Sequence, residues 1–148
     1  MQARMAKRGV IFVLWGERCE ETQAVAWVSR LRSEGRRVYL VAVSGRRVRG
    51  LFGIPLEPDI GLDEAFGLVA QVDLIVIPCG LESLNVFRRD PRFDELLVLA
   101  GQNGAHFLAH PSAQETVAGL VPDGGNAEVG NVYANSMLAK RGIEKGEE

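Results

Sequence analysis

The sequence contains few of the residues on which metal and redox sites usually depend. Its 148 residues include two cysteines and two histidines. Cys19 and Cys79 lie far apart in the chain, and no CxxC spacing is present. The pattern therefore predicts neither a disulfide framework nor a zinc site, and no metal is expected.

A strong excess of positive charge is also missing. Seventeen basic and nineteen acidic residues leave a formal net charge of −2. Duplex or single-strand binding usually needs a marked positive field, so nucleic acid is not an expected partner. The one local basic cluster, Arg46, Arg47 and Arg49, is interpreted as the solvated rim of a hairpin, with phosphate recognition as the alternative.

Long apolar runs and nucleotide-binding motifs are absent as well. No stretch reaches the ~18 apolar residues of a membrane span, and residues 1–8 lack the features of a secretory signal. We therefore expect a cytoplasmic protein. There is no GxxxxGK[ST] loop and no GxGxxG after the first apolar run, so no nucleotide cofactor is expected.

What the chain does contain is an alternation of short apolar runs with amphipathic segments. Apolar runs of the buried-strand type alternate with segments of three-and-four apolar spacing, which is typical of a parallel sheet with helices on both faces. Ligands of such sheets bind at the carboxyl ends of the strands, where we expect any small-molecule site. The predicted strands are 9–15, 36–45, 72–78 and 105–109, and the predicted helices are 22–34, 61–70, 90–100 and 113–118.

The length and composition predict one domain spanning residues 1–148. At 47% hydrophobic residues, the chain is long enough for one substantial core and too short for two ordinary domains. Residues 122–148 are expected to form a divergent or truncated tail, with a helix over 129–139 and a frayed end.

Five segments, taken in order, resemble the ThiJ/PfpI family, which includes the parkinsonism-associated deglycase and intracellular protease-like proteins. They are GERCEET, LRSEGRRVYLVAVSG, PLEPDIGLDEA, VDLIVIPCG and RDPRFDELL. The resemblance covers a core of about residues 8–121. It implies the class I glutamine amidotransferase-like superfamily, a flavodoxin-like three-layer α/β sandwich with a mostly parallel, doubly wound sheet, and a homodimer.

The resemblance also implies where a catalytic site would lie. The family places a cysteine on a strained turn, a neighbouring histidine, and a glutamate in the loop after the first strand. Glu21 falls on the glutamate. Counting back from the motif at residues 118–120 places Ala109 on the cysteine and His110 on the histidine, whereas a one-residue gap places His110 on the cysteine. Neither alignment supplies a thiol.

The residues around this position favour an ordinary helix start. Pro111 pushes His110 toward extended backbone and so disfavours a nucleophile elbow. Ser112 followed by Glu115 fits a capping box. Cys79 replaces the first glycine of the family's Pro-Gly-Gly and is expected to fill or narrow the pocket.

We therefore expect a non-catalytic binding, regulatory or scaffolding protein. The alternative is a divergent hydrolase, deglycase or glyoxalase-type enzyme that uses Cys79 or Ser112 with His110 and Glu21. Without a thiol partner, Glu21 would hydrogen-bond His110 or Ser112. A soft-ligand site would need Cys19, Cys79, Glu21 and His110 to converge on one ion. Every enzymatic alternative requires Glu21, Cys79 and His110 to share one pocket.

Overall fold

A computed structural model of the chain describes residues 9–121 and 128–133. The described strands form one sheet with the order β3-β2-β1-β4-β5-β6, and every neighbouring pair is parallel. The strands are β1 (Val10–Trp15), β2 (Arg37–Ala42), β3 (Ile60–Gly61), β4 (Val72–Ile77), β5 (His106–Ala109) and β6 (Val129–Asn131). The predicted doubly wound α/β sandwich is confirmed.

The central strand β1 shows that both faces of the sheet are covered. All six of its residues have 0% exposure, although successive side chains of a strand point to opposite faces. This burial explains why the strand reads as a continuous apolar run instead of an alternating one. The chain leaves β1 toward β2 and β3 on one side and later returns to β4 on the other. The crevice between the carboxyl ends of β1 and β4 is therefore the topological switch point of the sheet.

Five helices and two 3₁₀ turns connect the described strands. The helices are α1 (Glu21–Ser33), α2 (Leu62–Phe66), α3 (Leu81–Phe87), α4 (Pro91–Gln102) and α5 (Gln114–Leu120), and the turns are Val69–Gln71 and Pro111–Ala113. In α1, the three-and-four spacing of Ala24, Trp27 and Leu31 places these residues in the core. In α4, Asp90 is the N-cap and accepts a hydrogen bond from the amide of Arg92, with Pro91 at the first helical position.

Two sequence predictions of secondary structure are wrong. The sequence predicts no helix between residues 78 and 90, but Leu81–Phe87 form α3, which buries Leu84 and Phe87. Residues 129–131 were expected to begin a helix, but they form β6, because the free edge of β5 offers them backbone partners from Phe107 to Ala109. Val132 and Tyr133, the next residues of that expected helix, are helical, and residues 134–139 and the expected frayed end lie outside the described residues.

Residues 45–57 connect β2 to β3 as a short hairpin, as the glycines and prolines there predict. Arg49 and Pro55 form an antiparallel bridge, and residues 50–54 form the turn between them. Across residues 9–121 and 128–133, no helix has both the length and the apolar character needed to cross a membrane.

Candidate functional site

The junction after β5, where the resemblance places the nucleophile, is an ordinary strand end. Ala109 is fully buried, and His110 follows it with φ −57° and ψ 143°, which is extended backbone. Among the described residues other than glycine, a positive φ occurs only at Arg18, in the loop after β1. The strained elbow that would present a nucleophile is therefore absent from this junction.

Ser112 does not form the expected capping box. Helix α5 begins at Gln114, and its N-cap residue, Ala113, provides no side-chain hydrogen bond. The hydroxyl of Ser112 instead accepts a hydrogen bond from the amide of Leu81, 3.0 Å away, at the start of α3. The prediction was wrong because a 3₁₀ turn, Pro111–Ala113, precedes α5 and moves the helix start past Ser112.

His110 lies between a hydroxyl group and a carboxylate. Its Nδ1 atom is 2.9 Å from Ser112 Oγ and accepts a hydrogen bond from the Ser112 amide at 3.1 Å. Because Nδ1 accepts that amide, a neutral imidazole carries its proton on Nε2. The Nε2 atom lies 3.4 Å from Oε2 of Glu20. The carboxylate that faces His110 is therefore Glu20.

Glu20 was missed from the sequence because its neighbour, Glu21, matches the family glutamate. The Glu20 carboxylate also accepts a hydrogen bond from the hydroxyl of Tyr133, whose ring packs edge-on against His110. Burial, together with this hydrogen bond to a carboxylate, raises the pKa of the Tyr133 hydroxyl above its usual value. The group Ser112, His110, Glu20 and Tyr133 thus joins three separate parts of the chain, the junctions that follow β1, β5 and β6.

Glu21 has a different environment from the one expected. Its side chain is buried, and its carboxylate accepts hydrogen bonds from the amides of Phe52 (3.0 Å) and Ile54 (2.8 Å) in the hairpin turn. The expected hydrogen bond to His110 or Ser112 is wrong, because α1 begins at Glu21 and directs this side chain toward the hairpin. Gly50 permits the contact, since a Cβ atom there would lie 2.3 Å from the Glu21 carboxyl carbon.

The charge of Glu21 is stabilised by this arrangement. Burial raises the pKa of its carboxyl group, but hydrogen bonds from the backbone amides of Ile54, Glu21 itself and Phe52 outweigh that effect. The pKa of Glu21 is consequently held below its usual range. A carboxylate that is ionised and bonded to two amides of a turn acts as a fixed anchor for that turn.

The two cysteines form a disulfide, contrary to the sequence prediction. Cys19 follows β1, Cys79 follows β4, and both are fully buried. The two cysteines are 60 positions apart in the sequence, which gave no sign of their contact, and they meet because β1 and β4 are neighbours in the sheet. The chain has no free cysteine, so the displaced-thiol and soft-ligand hypotheses lose their sulfur donors.

The disulfide crosses the switch-point crevice, which is also packed from one side by α3. The hydroxyl of Ser83 donates a hydrogen bond to the carbonyl of Glu17 at 3.0 Å. A Cβ atom at Gly16 would lie 2.5 Å from the ring of Phe87. Cys79 is fully buried in the disulfide at this part of the sheet edge.

A cleft lies beside this crevice and shares Phe87 with it. It has a volume of about 880 Å³ and is lined in part by Ser44, Arg46, Glu64, Phe87 and Arg89. Within the described ranges, no three His, Cys, Asp or Glu side chains lie close enough together to hold a metal ion. The carboxylate of Glu21 bonds to the hairpin turn, whereas Glu20 and Ser112 each contact the ring of His110.

Comparison with known proteins assigns the chain to a family. The model of the DJ-1/PfpI family matches residues 9–123. An oxidized DJ-1 from Toxoplasma gondii is similar in fold, with a TM-score of 0.70 at 20% identity over 92% of this chain and 89% of that chain. A putative protease I from Bacteroides thetaiotaomicron gives a TM-score of 0.69 at 15% identity, covering 93% of this chain and 98% of that one.

A third similar structure is DJ-1beta from Drosophila melanogaster, with a TM-score of 0.64 at 23% identity over 76% of this chain and 59% of that chain. A search of the curated proteins finds no match. At these identities the solved structures establish the fold, and the family follows from the family model. The chain belongs to the DJ-1/PfpI family.

Proposed function

We propose that this chain is a binding, regulatory or scaffolding member of the DJ-1/PfpI family that performs no thiol chemistry. The observation that carries the proposal is the junction after β5. The buried Ala109, which one alignment with the family places at the nucleophile position, has no reactive atom, and His110, which the other alignment places there, lies on extended backbone instead of a strained turn. The two cysteine sulfur atoms of the chain are joined to each other in the interior.

The use of the remaining candidate residues supports the same conclusion. A catalytic carboxylate must reach the reacting group, but the carboxylate of Glu21 is occupied by two amides of the hairpin turn. The switch-point crevice, where doubly wound sheets bind their ligands, is filled by the disulfide and by Phe87. A small-molecule ligand at the strand ends would therefore occupy the neighbouring cleft of about 880 Å³.

We propose further that the protein acts as a homodimer, as the family resemblance implies. Its cytoplasmic location also stays a prediction. A buried disulfide is less common in reducing compartments, so the redox state of Cys19 and Cys79 in cells bears directly on that prediction.

The test is an activity and labelling experiment on the purified protein. We expect no turnover of methylglyoxal or of small amides, and no reaction of the native protein with iodoacetamide. Unfolding in the presence of a reductant should expose both cysteines to labelling, which serves as the positive control. Turnover that is lost in Cys79→Ser or Glu21→Gln would overturn the proposal.

One observation favours a second candidate function, a divergent hydrolase. Ser112 Oγ lies 2.9 Å from His110 Nδ1, and His110 Nε2 lies 3.4 Å from Glu20. This arrangement supplies a hydroxyl nucleophile, a base and an orienting acid, with Glu20 in the role that sequence reasoning gave to Glu21. The amides of Leu81 and Ser112 already bond to the hydroxyl and to Nδ1, and for that reason we rank this function second.

The second candidate is tested with p-nitrophenyl acetate. A hydrolase would release p-nitrophenol faster than buffer, and Ser112→Ala would abolish the excess rate while Ser29→Ala, an exposed serine on α1, would not. Equal rates for the wild type, Ser112→Ala and buffer would exclude the hydrolase and agree with the first proposal.

A further inference from the structure

The cleft beside the switch-point crevice has room for a small molecule. Its volume of about 880 Å³ lies within the range of sites that hold drug-sized ligands. One wall is formed by the residues that follow β2 and by the start of α2, and the other by the end of α3 and the start of α4. The cleft therefore lies at the carboxyl edge of the sheet, where proteins of this architecture bind their ligands.

The base of the cleft is apolar. Ala42, Val43, Leu62 and Phe87 line it, and all four are buried. Val86, on the α3 wall, lines it as well but is 43% exposed. An exposed valine that adjoins a buried apolar base offers a contact surface to the apolar part of a ligand.

The rim of the cleft contains three arginines, one of which is already neutralised. Arg92 bonds to the carboxylate of Asp90 at 2.7 Å and to that of Asp63 at 2.6 Å. These three side chains form a group whose cation and carboxylates bind each other. Arg92 is therefore not available to an anionic ligand without the loss of two ion pairs.

The other two arginines of the rim, Arg46 and Arg89, retain unused N–H groups. The guanidinium of Arg89 has no hydrogen-bond or ion-pair partner within the described part of the chain. Arg46 lies 3.9 Å from Glu64, with both side chains more than half exposed, so that this ion pair contributes little. Arg46 also donates to the carbonyl of Pro58, at a long 3.4 Å. Because Arg46 belongs to the β2 wall and Arg89 to the α3 wall, an anion in the cleft would be approached from two sides.

Ser44 adds a hydroxyl group to the β2 wall. Its Oγ atom accepts a hydrogen bond from the amide of Glu17 at 3.2 Å, which leaves the hydroxyl proton for an oxygen of a ligand. Guanidinium groups match the paired oxygens of phosphates and carboxylates. Two guanidinium groups and one hydroxyl suit a ligand group with nearly two negative charges and three terminal oxygens, which is a phosphate monoester.

We propose that this cleft binds a small phosphate monoester, with the phosphate group between Arg46 and Arg89 and the apolar part of the ligand against Val86. The inference rests on the binding role that forms part of the proposed function, and it names the ligand class of that role. An organic carboxylate has similar paired oxygens and is the competing ligand, which the experiment below separates.

The experiment is isothermal titration calorimetry with phenyl phosphate at about pH 7.5, where the phosphate is mostly dianionic. The wild type is expected to bind it, and Arg46→Gln and Arg89→Gln are each expected to raise the dissociation constant at least ~10-fold, as loss of a hydrogen bond to a charged group does. Arg47→Gln is the matched control, because Arg47 is the adjacent exposed arginine and does not line the cleft. It should leave the constant unchanged. Circular dichroism checks that each variant is folded.

Two further variants test the charge and the apolar contact separately. Glu64→Gln should tighten binding, because it removes the charge that competes for Arg46 while its side-chain oxygen still accepts from the Gly61 amide. Val86→Ala should weaken the binding of phenyl phosphate about threefold, as loss of a partly buried methyl group does, and should leave the binding of inorganic phosphate unchanged.

The outcomes distinguish this inference from the proposed function. If the wild type does not bind phenyl phosphate at millimolar concentration, the inference is overturned, whereas the absence of thiol chemistry is tested by iodoacetamide and methylglyoxal and would stand. Equal losses in Arg47→Gln and Arg46→Gln would indicate a general attraction of anions and would also overturn it. Tighter binding of benzoate than of phenyl phosphate, lost in Arg46→Gln and Arg89→Gln, would assign the cleft to a carboxylate instead.

Discussion

Two regions at the carboxyl edge of the sheet contain cysteine, serine, histidine or glutamate side chains of the kinds found in catalytic sites. In one region these side chains connect loops to each other, and in the other a glutamate supports an exposed turn. At the β1, β4 and β5 ends, a disulfide and the contacts of Ser112 and His110 tie neighbouring loops together. At the β2 end, Glu21 is buried in order to hold a turn whose own apolar side chains face solvent. The comparison teaches that a disulfide and polar side-chain contacts can close the carboxyl edge of the sheet at β1, β4 and β5. At β2, a buried carboxylate instead holds a turn whose apolar side chains remain exposed.

The largest effect is expected from removal of the disulfide, which closes the first region. Reduction of the wild type, or the double change Cys19→Ala with Cys79→Ala, should lower the free energy of unfolding by about 2–4 kcal/mol, because the crosslink restricts the unfolded chain. Urea denaturation with and without a dithiol reductant measures the effect. The double variant is the control and should not respond to the reductant. If the reductant does not change the urea midpoint of the wild type, the disulfide does not contribute to stability as proposed.

Glu21→Gln should weaken the second region by about 1–3 kcal/mol, because the neutral side chain loses the charge-assisted hydrogen bonds from the two turn amides and replaces one acceptor oxygen near the Phe52 amide with an NH₂ donor. Urea denaturation measures the loss. Glu95→Gln, at an exposed position on α4, is the matched control and should stay within about 0.5 kcal/mol of the wild type.

The difference in the free energy of unfolding between the wild type and Glu21→Gln should depend on pH, and its direction can be stated. The pKa of Glu21 in the folded protein lies below its unfolded value, which is about 4.3 for a free glutamate. Its ionised form therefore contributes its full stabilisation above that unfolded value and loses it as the pH falls through the folded pKa. The stability difference between the wild type and Glu21→Gln should shrink below about pH 4. A difference that stays constant through that range would show that the charge of Glu21 does not hold the turn.

Ser112→Ala should produce the smallest effect, about 1 kcal/mol, because the hydrogen bond from the Leu81 amide is exposed and water can replace it. Thermal unfolding measures the change, and Ser112→Thr, which retains a hydroxyl, is the comparison variant. A loss as large as that of Glu21→Gln would indicate that the first region depends on this hydrogen bond as much as the second depends on its buried carboxylate.

Much of the fold could be predicted because it depends on local patterns. The run at residues 10–15 is apolar throughout because both faces of β1 are buried, and Asp90 with Pro91 marks a helix start through local geometry alone. Helix α3 and strand β6 could not be predicted in this way. The first is a short helix defined by its packing against the crevice, and the second is defined by the free edge of β5.

The site was predicted less well, because its partners are distant in the chain. Sequence reasoning placed Glu21 beside His110, but the residue that meets the imidazole is Glu20. Two adjacent residues at the start of a helix direct their side chains to different surroundings, and sequence gives no signal for which one faces the strand end. Recognition of the family selected the wrong carboxylate for contact with His110, although it selected the right segment.

The amino-acid order by itself determined the alternation of strands and helices, the extended backbone before Pro111 and the absence of a nucleophile at residue 109, since each of these depends on neighbouring residues. Only the tertiary structure decided that Cys19 meets Cys79, that Glu20 meets His110 and that Glu21 anchors the hairpin. The physical reason is the strand order, which brings segments that are far apart in sequence to the same edge of the sheet.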